Sequence, residues 1–181
     1  MKITFLGTSS GKTSLDRFHS SLLFTSEKYN LLVDTGDGIS RALISNGINF
    51  CDLNGILYTH LHADHFSGLP ALIVQMKMMN RNEPLDIFIH ESLKTVIEEF
   101  LLSCYLLPER MGFEIRYKTF IDDERFSITD EFTILARKNS HLVKLEKYSE
   151  KYPFLSFYCA SFLFKTTDKK LIYTSDIGSE E

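Results

Sequence analysis

Gly55-Ile56-Leu57-Tyr58-Thr59-His60-Leu61-His62-Ala63-Asp64-His65-Phe66-Ser67-Gly68-Leu69-Pro70 decides how the rest of the chain is read. Its first four residues form a short apolar run that reads as a buried strand. Ser67, Gly68 and Pro70 stand where a loop passes into a helix, with Pro70 in the first turn. Between them His60, His62, Asp64 and His65 place four potential metal ligands within six residues. They lie on a loop at the C-terminal end of a strand, the edge where open α/β layers carry their chemistry. In an extended segment His60 and His62 point to the same side. Once the chain turns, Asp64 and His65 face a second position. Imidazole and carboxylate donors suit Zn²⁺, with Mn²⁺ or Fe as alternatives. One loop histidine is ordinarily a surface residue, but three with an aspartate at this spacing read as a metal site.

Upstream, residues 2–6 read as a first strand, followed by Gly7-Thr8-Ser9-Ser10-Gly11-Lys12-Thr13. A Gly-rich loop after a strand suggests a nucleoside-triphosphate loop. That motif has four residues between its first Gly and the Gly-Lys pair, and here there are three. A helix should also begin at the lysine, whereas Phe18 to Phe24 leads into another strand. Residues 19–25 and 29–34 read as a hairpin turning at Ser26-Glu27-Lys28. Asp34 closes its second strand, as a turn residue or helix cap. Residues 38–46 read as an amphipathic helix with Ile39, Ala42 and Leu43 inward, stopped by Gly47.

Downstream, 69–80 reads as a helix whose Met76, Met78 and Met79 pack in the core or a groove. Leu85–Ile89 reads as a strand ending at His90, a weak site candidate beside a helix start at Glu91-Ser92. Residues 92–103 read as an amphipathic helix with Val96, Ile97, Phe100 and Leu101 inward. Strands are expected near 113–119, 125–128, 132–137, 154–165 and 170–174. His141 follows the third of these, and Asp176 follows the last. Lys144, Lys147 and Lys151 alternate with Glu146 and Glu150 as on a solvated helix.

The 181 residues suffice for one domain with a sizeable core, and 44% hydrophobic with 24% charged residues is ordinary globular composition. A formal net charge of −4 gives no overall basic field for nucleic acid. Cys51, Cys104 and Cys159 are odd in number and far apart, so they read as reduced thiols of a cytoplasmic protein. No stretch approaches the roughly 18 apolar residues of a membrane span, so no membrane partner is expected.

His-x-His-x-Asp-His resembles the signature of the metallo-β-lactamase-fold hydrolases. Thr59 to Pro70, together with Ile3-Thr4-Phe5-Leu6-Gly7-Thr8, His19-Ser20-Ser21 and Leu31-Leu32-Val33-Asp34-Thr35-Gly36, resembles the ribonuclease Z branch. The resemblance implies an α/β fold, a four-layer αββα sandwich of mixed sheets with the site along one edge. In it His60, His62 and His141 hold one metal, Asp64 and His65 hold a second, and Asp176 bridges them. Asp34 orients the ligand imidazoles, and Asp64 also accepts a proton. The family's last histidine ligand comes from a closing part that residues 1–181 do not contain. The expectation is therefore one domain, 1–181, without that part and with an incomplete second site. The implied activity is two-metal phosphodiester hydrolysis by an RNA endonuclease that trims the 3′ end of precursor transfer RNA, in a homodimer. The family's Gly/Pro-rich RNA-gripping arm has no counterpart in the charged segment 142–156. That keeps three alternatives open: a smaller phosphodiester such as a cyclic nucleotide, a thioester or lactone, and a non-catalytic metal-binding domain.

Overall fold

The computed structural model describes residues 1–130 and 132–178. β1 (Lys2–Gly7), β2 (Ser21–Thr25) and β3 (Asn30–Val33) form an antiparallel meander. The β2–β3 turn closes on Ser26, whose hydroxyl accepts the Tyr29 amide at 3.0 Å. The chain then alternates: α1 (Ile39–Ser45), β4 (Gly55–Leu57), α2 (Ala63–Phe66), α3 (Leu69–Met78), β5 (Leu85–His90), α4 (Lys94–Ser103) and β6 (Ile115–Phe120). β3 to β6 are parallel neighbours in sequence order, which completes a six-stranded mixed sheet. Successive parallel crossovers share one hand, so their helices cover the same face.

A second sheet holds β7 (Arg125–Thr129), β8 (Phe132–Lys138), β9 (Ala160–Lys165) and β10 (Lys170–Tyr173), in the order β10-β9-β8-β7. It is antiparallel throughout, so only the first of the two sheets has the mixed character expected of both. The sheets face each other across an aromatic seam. Phe24 stacks on Phe164 at 4.4 Å, and Phe120 stacks on Phe126 at 4.9 Å. On the other face of β5, Leu85, Ile87 and Ile89 are fully buried, in one core with Leu72, Ile73, Met76 and Ile97 of α3 and α4. Coverage on both faces explains why β3 to β5 are almost uninterrupted apolar runs. β8 instead alternates buried Phe132, Ile134 and Ala136 with half-buried Thr133 and Leu135. Among the described residues the layers are helix, sheet and sheet, and no helix covers the outer face of the second sheet.

Three local expectations are corrected. The last strand pair begins at Ala160, not at 154; Phe154 is 74% exposed, and Leu155 closes a turn by donating to the Tyr152 carbonyl at 3.0 Å. Met78 points to solvent while Met76 is buried, because residues two apart on a helix face different sides, and exposed Met79 lies just past the helix end. Segment 142–152 is a 3₁₀ turn over Val143–Tyr148 in place of a longer helix, and its Glu146 pairs with Lys138.

Candidate metal centre

Backbone hydrogen bonds fix the path of the ligand loop. β4 stops at Leu57, whose carbonyl accepts the Asp34 amide at 2.9 Å. The Thr35 amide donates to the His65 carbonyl at 2.7 Å, and the Gly68 amide donates to the Thr35 carbonyl at 2.8 Å. A Cβ on Gly36 would collide with the Asp64 carbonyl, and one on Gly68 would come within 2.6 Å of the Gly36 carbonyl oxygen. Two glycines therefore let the turn after β3 and the ligand loop lie backbone to backbone.

Asp34 leaves β3 in the left-handed region at φ 60°, a costly conformation for a residue with a side chain. The strain turns its carboxylate back into the fold, where it is fully buried. Oδ1 accepts the Thr59 amide at 2.9 Å, and Oδ2 accepts the Thr59 hydroxyl at 2.9 Å and the His65 Nδ1 proton at 2.8 Å. The Thr59 hydroxyl has spent its one proton on Asp34, so at 2.9 Å it can only accept from His60 Nδ1. Both histidines are thus held with Nε2 turned away from Asp34. His60 Nε2 is buried without a hydrogen-bond partner, an arrangement that costs free energy unless a cation meets it.

Two donor groups result. One ring nitrogen from each of His60, His62 and His141 lies within 4.8 Å of the others, and His62 Nδ1 is 3.1 Å from His141 Nε2. A tetrahedral zinc with bonds near 2.0–2.1 Å needs ligand nitrogens about 3.3 Å apart, so this set fits such an ion. The second group joins His60, His65 and Asp176. His65 Nε2 is 3.7 Å from Asp64 Oδ2 and 3.6 Å from Asp176 Oδ2. The same Asp176 oxygen is 3.7 Å from His141 Nε2 in the first group. All six residues expected at the site are therefore brought together.

Their charge states differ. Burial pushes His60 down to about 2, assisted by its three histidine neighbours. His62 is lowered by burial and then by His141. Burial acts in the same direction on His65, but Asp34 and Asp176 override it and hold the imidazole up at about 10. The hydrogen bond from His65 in turn draws Asp176 down to about 2. His60 and His62 are held neutral in the first group, while His65 and Asp176 form an ion pair in the second.

Asn139 escaped the sequence reading. Its Oδ1 accepts the His141 amide at 3.1 Å, and its Nδ2 donates to the Asp176 carbonyl at 3.0 Å. One buried amide thus ties the two late-arriving loops together. A polar residue two before a loop histidine is the only local signal for it. His90 lies elsewhere: its Nδ1 accepts the Ser92 amide at 3.3 Å, and its ring stacks on Tyr158 at 3.7 Å. His19 packs under Gly36, with both ring nitrogens buried and unpartnered, outside either donor group. No helix begins at Lys12; the next regular element is β2.

A family model described as anti-Pycsar protein Apyc1 matches residues 1–181. Among curated proteins, a ribonuclease Z of Metallosphaera sedula is 40% identical over 108 residues, covering 60% of this chain and 37% of the relative. A ribonuclease Z of Archaeoglobus fulgidus is 31% identical over 150 residues, covering 82% and 47%. The chain thus spans about half the length, or less, of these relatives. Among solved structures, the metallo-β-lactamase fold protein YhfI from Bacillus subtilis aligns with a TM-score of 0.72 at 22% identity, over 96% of this chain and 61% of that one. The short form of human tRNase Z aligns at 0.74 with 20% identity, over 97% and 69%. The fold is that of the metallo-β-lactamases, as the ligand loop implied.

Proposed function

We propose that this chain, which belongs to the anti-Pycsar protein Apyc1 family, is a two-metal hydrolase of phosphodiesters. The observation that carries the reading is the position of Asp176 Oδ2, 3.6 Å from His65 Nε2 and 3.7 Å from His141 Nε2. One carboxylate oxygen can serve both donor groups. His60, His62 and His141 would hold one ion, and Asp64 and His65 the other. Bound divalent ions, zinc in first place, would supply an acidified water and neutralise charge on phosphoryl oxygens. Asp64, partly open to solvent, takes the proton of the attacking water on its carboxylate. Thr59 fixes the tautomer of His60 and Asp34 the orientation of the His65 ring, so the donor atoms need no reorientation.

For the substrate we favour a small phosphodiester such as a cyclic nucleotide. Two observations support this. The net charge is −4, against the cationic surface that phosphate-backbone binding needs. Segment 142–156 also carries one Pro and no Gly, and its Ser156 hydroxyl lies 2.7 Å from that of Ser92. A second reading, cleavage of RNA at a 3′ end, is favoured by the ribonuclease Z relatives at 31% and 40% identity. The test is turnover by the zinc-loaded chain of a 3′,5′-cyclic nucleotide, an aryl phosphodiester and a short RNA with a 3′ trailer. Cleavage of the cyclic nucleotide with the RNA untouched supports the first reading, and cleavage of the RNA at one position supports the second. Turnover of none of these, with two ions bound, removes the phosphodiesterase reading.

A further inference from the structure

The loop after β1 is not a nucleoside-triphosphate loop, yet the fold makes a polar chamber of it. Residues 8–18 leave the sheet and return beside themselves. Ser9 bridges to His19, its amide donates to the Phe18 carbonyl at 2.9 Å, and its hydroxyl donates to the Lys12 carbonyl at 2.9 Å. The loop lines a cavity of about 430 Å³ whose walls carry Thr8, Ser10, Thr13 and Ser14 together with Lys12 and Arg17. No carboxylate is among the lining residues, and the loop's own Asp16 lies outside them.

The loop itself passes beside the metal centre at Gly11, between the lining residues Ser10 and Lys12. A Cβ on Gly11 would meet Asp64 Oδ2 at 3.5 Å and Oδ1 at 3.8 Å. Hydroxyl donors with one ammonium and one guanidinium suit a tetrahedral oxyanion. In a chain of net charge −4, two cations on one cavity give the loop a local charge of the opposite sign. The cavity is also larger than one phosphate group requires, which leaves room for part of an attached sugar.

We propose that loop 8–17 is a phosphate subsite beside the metal centre. It holds either a nucleotide phosphate not under attack or the phosphomonoester that hydrolysis releases. The choice between these sources rests on the phosphodiesterase reading; the binding itself does not. The experiment is calorimetric titration of inorganic phosphate into the 181-residue chain, once after chelation and once zinc-loaded. Saturable binding is expected in both forms below about 10 mM. It should weaken at least about tenfold in the Lys12→Ala/Arg17→Ala double variant, and it should weaken with salt. Both side chains are exposed, and circular dichroism checks that the variant keeps its fold. Binding confined to the zinc-loaded form, or equal in the double variant, overturns the subsite. In an active preparation, nucleoside monophosphate that inhibits the parent at least tenfold better than the variant assigns the product. A KM rise confined to substrates with a second phosphate assigns the non-scissile group. If no diester is cleaved while phosphate binding still depends on Lys12 and Arg17, the hydrolase reading fails and the subsite stands.

Discussion

The two donor groups share His60 and Asp176 but solve opposite electrostatic problems. In the first, three imidazoles crowd together, and burial keeps His60 and His62 neutral. In the second, His65 is pressed between Asp34, Asp64 and Asp176, and it keeps its proton up to about pH 10. A cation entering the first group meets the unpartnered lone pair of His60. A cation entering the second must expel a proton that two carboxylates stabilise. Identical side chains a few ångströms apart are thereby made into unequal ligands by the residues behind them.

The comparison is broken hardest at Asp64. Asp64→Asn keeps shape and hydrogen-bonding reach but removes charge and basicity from the second group alone. Turnover of a phosphodiester should fall by at least roughly a thousandfold, with KM little changed and the first ion retained by elemental analysis. A parent-like rate would end the assignment. Asp34→Asn comes next. It keeps one acceptor oxygen, enough for the Thr59 amide, but strips the charge that orients His65, so affinity for the second ion should drop about 10–100-fold. His60 touches Asp34 only through Thr59, so the first ion should respond less in a chelator competition. Equal losses at both positions would show that the groups act as one unit.

A pH series sharpens the contrast without mutation. His65 has a folded pKa raised to about 10, so between neutrality and that value the second ion displaces a proton. Its apparent affinity should climb about tenfold per pH unit and level off beyond. His60, lowered to about 2, holds no proton in this window and contributes no slope to the first ion. Two ions with parallel slopes would contradict the charge assignment. The smallest effect is expected at Asn139→Ala, where loops carrying one ligand of each kind lose their shared clamp. Unpairing buried partners here should cost about 1–3 kcal/mol in chemical denaturation, with only a few-fold change in either metal affinity.

The ligand loop was legible because its information is local: six residues carry four donors, and the strand before and the Gly-Leu-Pro after place them. Asp34 was legible only through resemblance, since nothing in Leu31 to Gly36 states that the backbone turns left-handed and aims the carboxylate at residue 65. Asn139 was out of reach because the carbonyls that its Nδ2 clamps lie 35 and 37 positions away, and an asparagine after a strand has many uses. The error at 154–159 has a similar origin. Phe154, Leu155 and Tyr158 have strand composition, but a strand needs a ladder, and β8 begins pairing only where Lys138 meets Ala160. The alternation in β8 and β9 likewise marked one buried face without saying what lies over the other.

The stitching of the ligand loop onto the turn after β3 bears on how an ion would arrive. Backbone bonds from Thr35 to His65 and from Gly68 to Thr35, with two glycines in contact, set the loop's path whether or not a cation is present. Small zinc modules fold around their ion and collapse when it is withdrawn. Here the donors are templated by the sheet, so the conformational entropy of gathering them belongs to folding and not to ligation. Ion exchange at such a centre would then be governed by ligand dissociation and access through the loops. A chelator would then empty it without melting the chain, leaving a scaffold into which different divalent ions can be loaded in turn and compared.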